Sequence, residues 1–306
     1  MPFYNILHYF IDIQMTTKII IISKNAPPSF YKSTYERLYS LNTDSAYGPA
    51  GLYYITDGDD YNHAIILDND MPPLNIPKSR VIGFSMEPTE KQQFSKEFCI
   101  YAATYISKYF VCEKGGLGDP FVSGRCFHHH QGFINYEPDK KKMMSIVVNN
   151  NRGTDGNRYS HLLVQRIIGY KLDIDIYGLD GNLYKDAYGN IDARIKSGVR
   201  HPSIPYSDYS FSIVLEDYSH PNYYTSRLID PIIYGCTPIN FGCSNASEHM
   251  NGSTVIQLTC DINHDMKIIQ DILKAPAKYY SKPNSIVETQ NFIKNACSIF
   301  RDLSEN

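Results

Sequence analysis

Residues 145–178 read SIVVNNNRGTDGNRYSHLLVQRIIGYKLDIDIYG, and this stretch decides the fold. The apolar run at 145–148 predicts a strand, a polar loop follows, and apolar residues at helical spacing then continue to Gly169, which ends a helix. Residues 173–177 alternate polar and apolar side chains, which predicts a second strand. Strand, helix and strand in this order form a βαβ unit, in which the two strands pair in parallel through a right-handed crossover.

The same alternation of strands and helices continues downstream of this unit. It predicts a strand, a loop, a short helix and a strand at residues 209–216, 217–224, 225–234 and 237–241. Gly235 ends the helix, and Thr225 is its candidate N-cap. Pro231 lacks a backbone N–H and is expected to kink the helix.

The first half of the chain follows a similar order. Strands are predicted at residues 18–24, 64–67 and 80–84, and a helix at 31–41. No helix or strand is predicted between Lys114 and Lys142, where Gly, His, Pro and charged residues are concentrated. The sequence therefore predicts two doubly wound α/β domains, residues 1–140 and 141–306, with ligands bound between them at the carboxyl ends of parallel strands. One large domain is the alternative.

A last helix is predicted near the C-terminus. Residues 285–288 read SIVE, which is a capping box, and apolar residues at helical spacing continue to Leu303. This helix could pack back on the first domain.

The composition excludes several classes of protein. Of the 306 residues, 42% are hydrophobic and 20% charged, which is typical of a soluble globular protein. The net charge of −3 supplies no positive field for nucleic acid. Neither a signal peptide nor a membrane anchor is evident, so a cytoplasmic or soluble intracellular location is expected. The motifs of dinucleotide-binding and P-loop proteins are also missing.

Cysteine and histidine provide little evidence for a metal site. The seven Cys show no C-x-x-C spacing, which favours reduced, mostly buried thiols. His128, His129 and His130 are adjacent, and adjacent side chains on an extended segment point to opposite faces. An exposed loop is therefore favoured over a metal ligand set, and no metal ion or other cofactor is expected.

Two arginines lie where loops lead into predicted helices. Arg158 follows the polar loop of the βαβ unit, and Arg227 stands two residues beyond Thr225. Backbone N–H groups and the helix dipole at such junctions favour an anion. Together the two side chains could bind a diphosphate through charge-assisted hydrogen bonds. Each could also be a solvated residue of the first helical turn.

These stretches carry a resemblance to the alpha-1,3-fucosyltransferase family. Residues 209–218 (YSFSIVLEDY), 223–228 (YYTSRL) and 235–242 (GCTPINFG) resemble that family's Y-K-F-x-L-x-F-E-N-S, Y-x-T-E-K-L and A-x-P-V-x-x-G. Upstream, residues 145–158 resemble its strand, loop and helix-opening Arg. Residues 172–178 (LDIDIYG) are similar to its V-D-x-[YF]-G, and residues 81–88 (VIGFSMEP) to its [FW]-x-x-E-S-P. These motifs occur in the family's order.

The resemblance implies a GT-B fold of two Rossmann-like domains and an inverting transfer of fucose from GDP-fucose to a glycan. It implies that Glu87 is the general base and that Arg158 and Arg227 contact the donor diphosphate. Tyr223 and Glu216 match further residues of the donor motifs. The first domain would bind the acceptor and the second the nucleotide sugar.

Two of the departures from the family's pattern concern the identity of the donor. Ser226 replaces a motif Glu, and a hydroxyl does not offer a diol the two acceptor oxygens of a carboxylate. Asp217 replaces an Asn and adds negative charge near the donor. A related glycosyltransferase with another nucleotide-sugar donor is therefore one alternative, and a non-catalytic sugar-binding protein is another. The acceptor glycan, the linkage and the oligomeric state stay open.

Overall fold

A computed structural model describes residues 17–40, 53–127, 134, 136–196, 201–250, 255–280, 288 and 303. Two six-stranded sheets follow one another along the chain, and all their strand pairs are parallel. Helices cover both faces of each sheet, which is the usual arrangement of parallel sheets. The predicted α/β class of doubly wound domains is thus confirmed.

The first sheet has the strand order β2-β1-β3-β4-β5-β6. Tyr31 and Tyr35 of the first helix pack on one face, and Phe98 and Ala102 of the third helix pack on the other. The strands are β1 (Thr17–Ile22), β2 (Tyr53–Thr56), β3 (His63–Leu67), β4 (Val81–Phe84), β5 (Lys108–Val111) and β6 (Phe121–Ser123), and the helices are α1 (Pro28–Ser40), α2 (Thr89–Gln92) and α3 (Lys96–Tyr105).

The second sheet has the strand order β12-β11-β10-β7-β8-β9. Leu163 and Ile269 lie in the core on one face, and Leu228 and Ile232 in the core on the other. The strands are β7 (Lys142–Val147), β8 (Asp175–Tyr177), β9 (Ile195–Lys196), β10 (Tyr209–Leu215), β11 (Thr237–Phe241) and β12 (Ile256–Gln257), and the helices are α4 (Asp155–Gly169), α5 (Ser226–Ile233), α6 (Ala246–His249) and α7 (Ile262–Lys274).

The strand order of the second sheet indicates where a ligand is expected to bind. Counted from β7, it is 3-2-1-4-5-6, and the direction of winding reverses between β7 and β10. Ligands of doubly wound sheets bind at this switch point, beyond the carboxyl ends of the strands. The loops that follow β7 and β10, and the first turns of helices α4 and α5, carry the predicted donor-binding residues.

Most predicted elements are present with small shifts of their ends. The prediction that no strand lies between Lys114 and Lys142 is wrong, because Phe121–Ser123 forms a strand at the edge of the first sheet. The strand has only three residues and lies between Pro120 and Gly124, so its apolar pattern is too short to detect. Helix α5 continues through Pro231, and Thr225 caps it as predicted.

Several predictions fall largely outside the described residues. Residues 128–130 are among these, as is most of the predicted C-terminal helix. Of that helix, Glu288 and Leu303 are described as helical, and Leu303 is buried in the same apolar cluster as Ile19 of β1. The boundary at residue 140 stays a prediction.

None of the helices in the described ranges has the length and apolar character of a bilayer-spanning segment.

Candidate functional site

The start of helix α4 lies directly against the end of strand β10. Gly156 makes this possible, because a Cβ at that position would stand 2.0 Å from the backbone oxygen of Glu216. The Gly156 N–H donates to the backbone oxygen of Asp217 at 3.3 Å. The close approach brings the two loops of the switch point together.

Glu216 is buried at the centre of this region and has 1% of its surface exposed. Its carboxylate accepts hydrogen bonds from Thr225, at 2.8 Å from the backbone N–H and at 2.9 and 3.0 Å from the hydroxyl. Gly242 lies against the side chain, since a Cβ there would be 2.4 Å from Glu216 Cγ. Glu216 therefore binds the residue that caps helix α5, and its carboxylate has almost no contact with solvent.

Burial raises the pKa of Glu216 to about 7. The nearby charge of Arg227 and the hydrogen bonds from Thr225 lower the pKa, but they do not offset the loss of solvation. Near neutral pH this carboxyl group is divided between its charged and neutral forms.

Arg227 lies at the switch point, and its guanidinium is hydrogen-bonded to the end of strand β10 and the residue that follows Glu216. Its Nη1 donates to the backbone oxygen of Leu215 at 2.9 Å and to Asp217 Oδ1 at 2.6 Å. The Arg227 and Asp217 side chains are 35% and 28% exposed. The guanidinium is fixed in place with part of its surface accessible to solvent.

Arg158 is oriented differently. Its side chain is 57% exposed and pairs with Asp155. Its Nη1 also donates to the backbone oxygen of Gly153 at 3.3 Å. These partners all belong to the loop before helix α4 and to its first turn. Arg158 therefore lies beside the switch point and makes no hydrogen bond to Arg227 or Glu216.

Ser226 is the first residue of helix α5 and is half-buried. Thr225, just before it, accepts a hydrogen bond from the Arg227 N–H at 3.1 Å. The helix thus begins at the switch point with its N-terminal dipole directed toward the crevice.

The loop between β10 and α5 also contacts the first sheet. Tyr223 is buried and packs with Cys112 and Cys126, which follow strands β5 and β6. Asn222 Nδ2 donates to the Cys112 backbone oxygen at 2.9 Å. Lys91 Nζ lies 5.2 Å from the centre of the Tyr218 ring. The carboxyl ends of both sheets therefore face the same cleft.

Glu87 lies on the opposite side of this cleft, in the loop after β4. Its side chain is 39% exposed, and Lys91 Nζ stands 3.6 Å from Glu87 Oε2. Partial burial raises the pKa of Glu87, whereas the Lys91 charge lowers it and the Asp217 charge raises it further. An elevated pKa suits a carboxylate that must accept a proton near neutral pH.

Several residues of this cleft have no counterpart in the sequence predictions. Lys91, Asn222 and the two cysteines Cys112 and Cys126 come from segments without a recognisable pattern, and only the tertiary contacts bring them to the site. The described part of the chain contains no group of three or more His, Cys, Asp or Glu side chains arranged to hold a metal ion.

Comparisons with known proteins give a structural match and no sequence match. No family model matches the chain, and no curated protein matches its sequence. A crystal structure of an alpha1,3-fucosyltransferase with GDP is similar at a TM-score of 0.52 and 13% identity, covering 95% of this chain and 90% of that one. A second, with GDP-fucose, has a TM-score of 0.50 and 11% identity, covering 92% and 90%. At this identity the likeness concerns the fold, and the chain has the two-domain GT-B fold of these fucosyltransferases.

Proposed function

We propose that the chain is an inverting glycosyltransferase that transfers fucose from GDP-fucose to a hydroxyl of a glycan. The observation that carries the proposal is the placement of Glu87 across one cleft from Arg227 at the switch point of the second sheet. In this proposal residues 1–140 bind the acceptor and residues 141–306 bind the donor.

The proposed reaction needs a base on one side of the sugar and positive charge on the other. The acceptor oxygen attacks the anomeric carbon, and the bond from that carbon to the diphosphate oxygen breaks. Glu87 takes the proton of the attacking hydroxyl, which typically contributes about 10²–10⁴-fold to the rate. Negative charge develops on the departing GDP, through a transition state with oxocarbenium character.

Arg158, Arg227 and the N-termini of helices α4 and α5 would stabilise the diphosphate. Loss of one such positioned donor of a hydrogen bond typically raises the barrier by about 2.7–4 kcal/mol. Because the two guanidinium groups supply positive charge, the proposal includes no metal ion or other cofactor. Arg158 would have to exchange Asp155 for the donor, since the two are paired in the structure.

The other donor-side residues have supporting roles in this proposal. Glu216 holds Thr225 and so fixes the start of helix α5 beneath the donor. Ser226 is the first residue of that helix and in this proposal contacts the nucleotide sugar. Tyr223 packs against Cys112 and Cys126 and so contacts the first domain.

A second candidate is a glycosyltransferase with another nucleotide-sugar donor. The observation in its favour is the Asp217 carboxylate, 2.6 Å from the Arg227 guanidinium, which competes with a diphosphate for the same cation. This negative charge changes which donors can be accommodated beside Arg227.

A donor screen followed by one substitution tests these proposals. We expect GDP to raise the melting temperature more than UDP does, and mass spectrometry of a glycan array to detect fucose transfer. Glu87→Gln should retain GDP binding and lose turnover, whereas Glu97→Gln, at an exposed position on α3, should retain both. Stabilisation by UDP alone would favour the second candidate. Glycan binding without transfer from any donor would indicate a non-catalytic sugar-binding protein, and full turnover by Glu87→Gln would refute the assigned base.

A further inference from the structure

Two cysteines lie together at the base of the cleft. Cys112 directly follows strand β5 and Cys126 follows β6, and these strands are neighbours in the first sheet. With Tyr223 they form one buried cluster, in which the two cysteines are 1% and 2% exposed. The last register pair of the two strands is Val111 with Ser123, so both cysteines follow the carboxyl ends of neighbouring strands.

The Cys112 thiol differs in acidity from the buried Cys236 thiol. The Cys126 thiol hydrogen-bonds to the Cys112 sulfur, and this bond lowers the pKa of Cys112 to about 6. The Thr89 hydroxyl lies 3.9 Å from the same sulfur. By contrast, burial raises the pKa of Cys236 to about 11. The same contact raises the pKa of Cys126, so Cys112 is the more acidic thiol of the pair.

We propose that Cys112 and Cys126 form a redox-active pair that a hydroperoxide converts into an intramolecular disulfide. The thiolate sulfur of Cys112 attacks one peroxide oxygen, the O–O bond breaks, and the electron pair leaves on hydroxide or alkoxide. The resulting sulfenic acid is attacked by the sulfur of Cys126, which forms the S–S bond and releases water. In sum, two thiols and one hydroperoxide give a disulfide, water, and an alcohol or a second water.

A disulfide at this position would act on the cleft. Tyr223 packs on both sulfurs, and the Cys126 thiol faces the Glu87 backbone oxygen at 3.9 Å. Oxidation removes that donor and shifts the two sulfurs in the cluster that contains Tyr223. The proposal concerns the thiols themselves and is independent of the proposed transferase reaction.

The test uses the full-length chain and hydrogen peroxide. After treatment, the remaining thiols are blocked and the digest is examined by mass spectrometry. We expect a peptide pair linked through Cys112 and Cys126, lighter than the two free peptides by two hydrogen atoms, and restored to free thiols by dithiothreitol. Cys260→Ser, which removes an exposed thiol, should leave this result unchanged.

A second measurement separates the two roles. In Cys126→Ser the sulfenic acid of Cys112 has no partner, and dimedone should label it. In Cys112→Ser neither the label nor the linked peptide should form. If Cys260 of the native wild-type chain is oxidised while Cys112 and Cys126 remain free thiols, the proposal is overturned. Because the wild-type chain gives this result directly, the outcome does not depend on how well the variants fold.

Discussion

Glu216 gives the sharpest test of the site, because its pKa is raised from an ordinary 4.5 to about 7. We consider Glu216→Gln, which keeps the shape of the side chain and removes its titration. The amide oxygen can still accept the hydrogen bonds from Thr225. The comparison of the wild-type chain with this variant therefore isolates the effect of the proton on Glu216.

The sign follows from the two pKa values. Between pH 4.5 and about 7 the unfolded chain loses the proton of Glu216 first, while the folded chain keeps it. Deprotonation then favours the unfolded chain, so the free energy of unfolding of the wild type falls as the pH rises through this window. A difference of about 2.5 pKa units, at about 1.4 kcal/mol per unit, corresponds to a loss of about 3 kcal/mol.

Urea unfolding at a series of pH values from about 4 to about 8 measures this loss. The free energy of unfolding of the wild type minus that of Glu216→Gln should decrease by about 3 kcal/mol across the window and be constant above it. The contributions of all groups that titrate equally in the wild type and the variant cancel in this difference. A flat difference for Glu216→Gln would show that Arg227 and Thr225 fully offset burial, and a difference that increases with pH would show that they outweigh it; either result would refute the reasoning.

Three further substitutions have matched controls. Gly156→Ala places a Cβ 2.0 Å from a backbone oxygen and should reduce the free energy of unfolding, measured in urea, by about 1–3 kcal/mol. Gly169→Ala is the control, because a Cβ there has nothing within 4 Å and should not reduce the stability. Equal effects of the two substitutions would contradict the close packing at Gly156. Tyr159→Phe removes a hydroxyl bonded to the buried Asp265 carboxylate and should cost about 1.5–3 kcal/mol by the same assay, against almost nothing for the exposed Tyr170→Phe. A Tyr159→Phe chain as stable as the wild type would show that this bond contributes little. If Glu87 is the base, Lys91→Gln removes a charge that lowers its pKa, so the acidic limb of kcat/KM should move to higher pH, while Lys96→Gln leaves the pH profile unchanged. A movement to lower pH would contradict the assigned interaction.

Local patterns in the sequence were sufficient for much of the fold. The βαβ unit at 145–178 and the Thr225 cap were predicted because they depend on residues close together in the chain, through side-chain periodicity and hydrogen bonds to the nearest turn. Helix α7 was not predicted, although Asp261 caps it and its apolar residues have helical spacing. The edge strand at Phe121–Ser123 was too short for any periodic signal.

By itself the sequence determined the α/β class and the positions of two loop-to-helix junctions that carry Arg158 and Arg227. Only the tertiary structure decided the strand order, and with it which junctions meet at the switch point. It also decided that Glu216 is enclosed by Thr225 and Gly242, that Asp217 pairs with Arg227, and that Cys112 lies beside Cys126. The physical reason is that burial, charge pairing and pKa depend on distances between segments far apart in the chain, which local propensity does not specify.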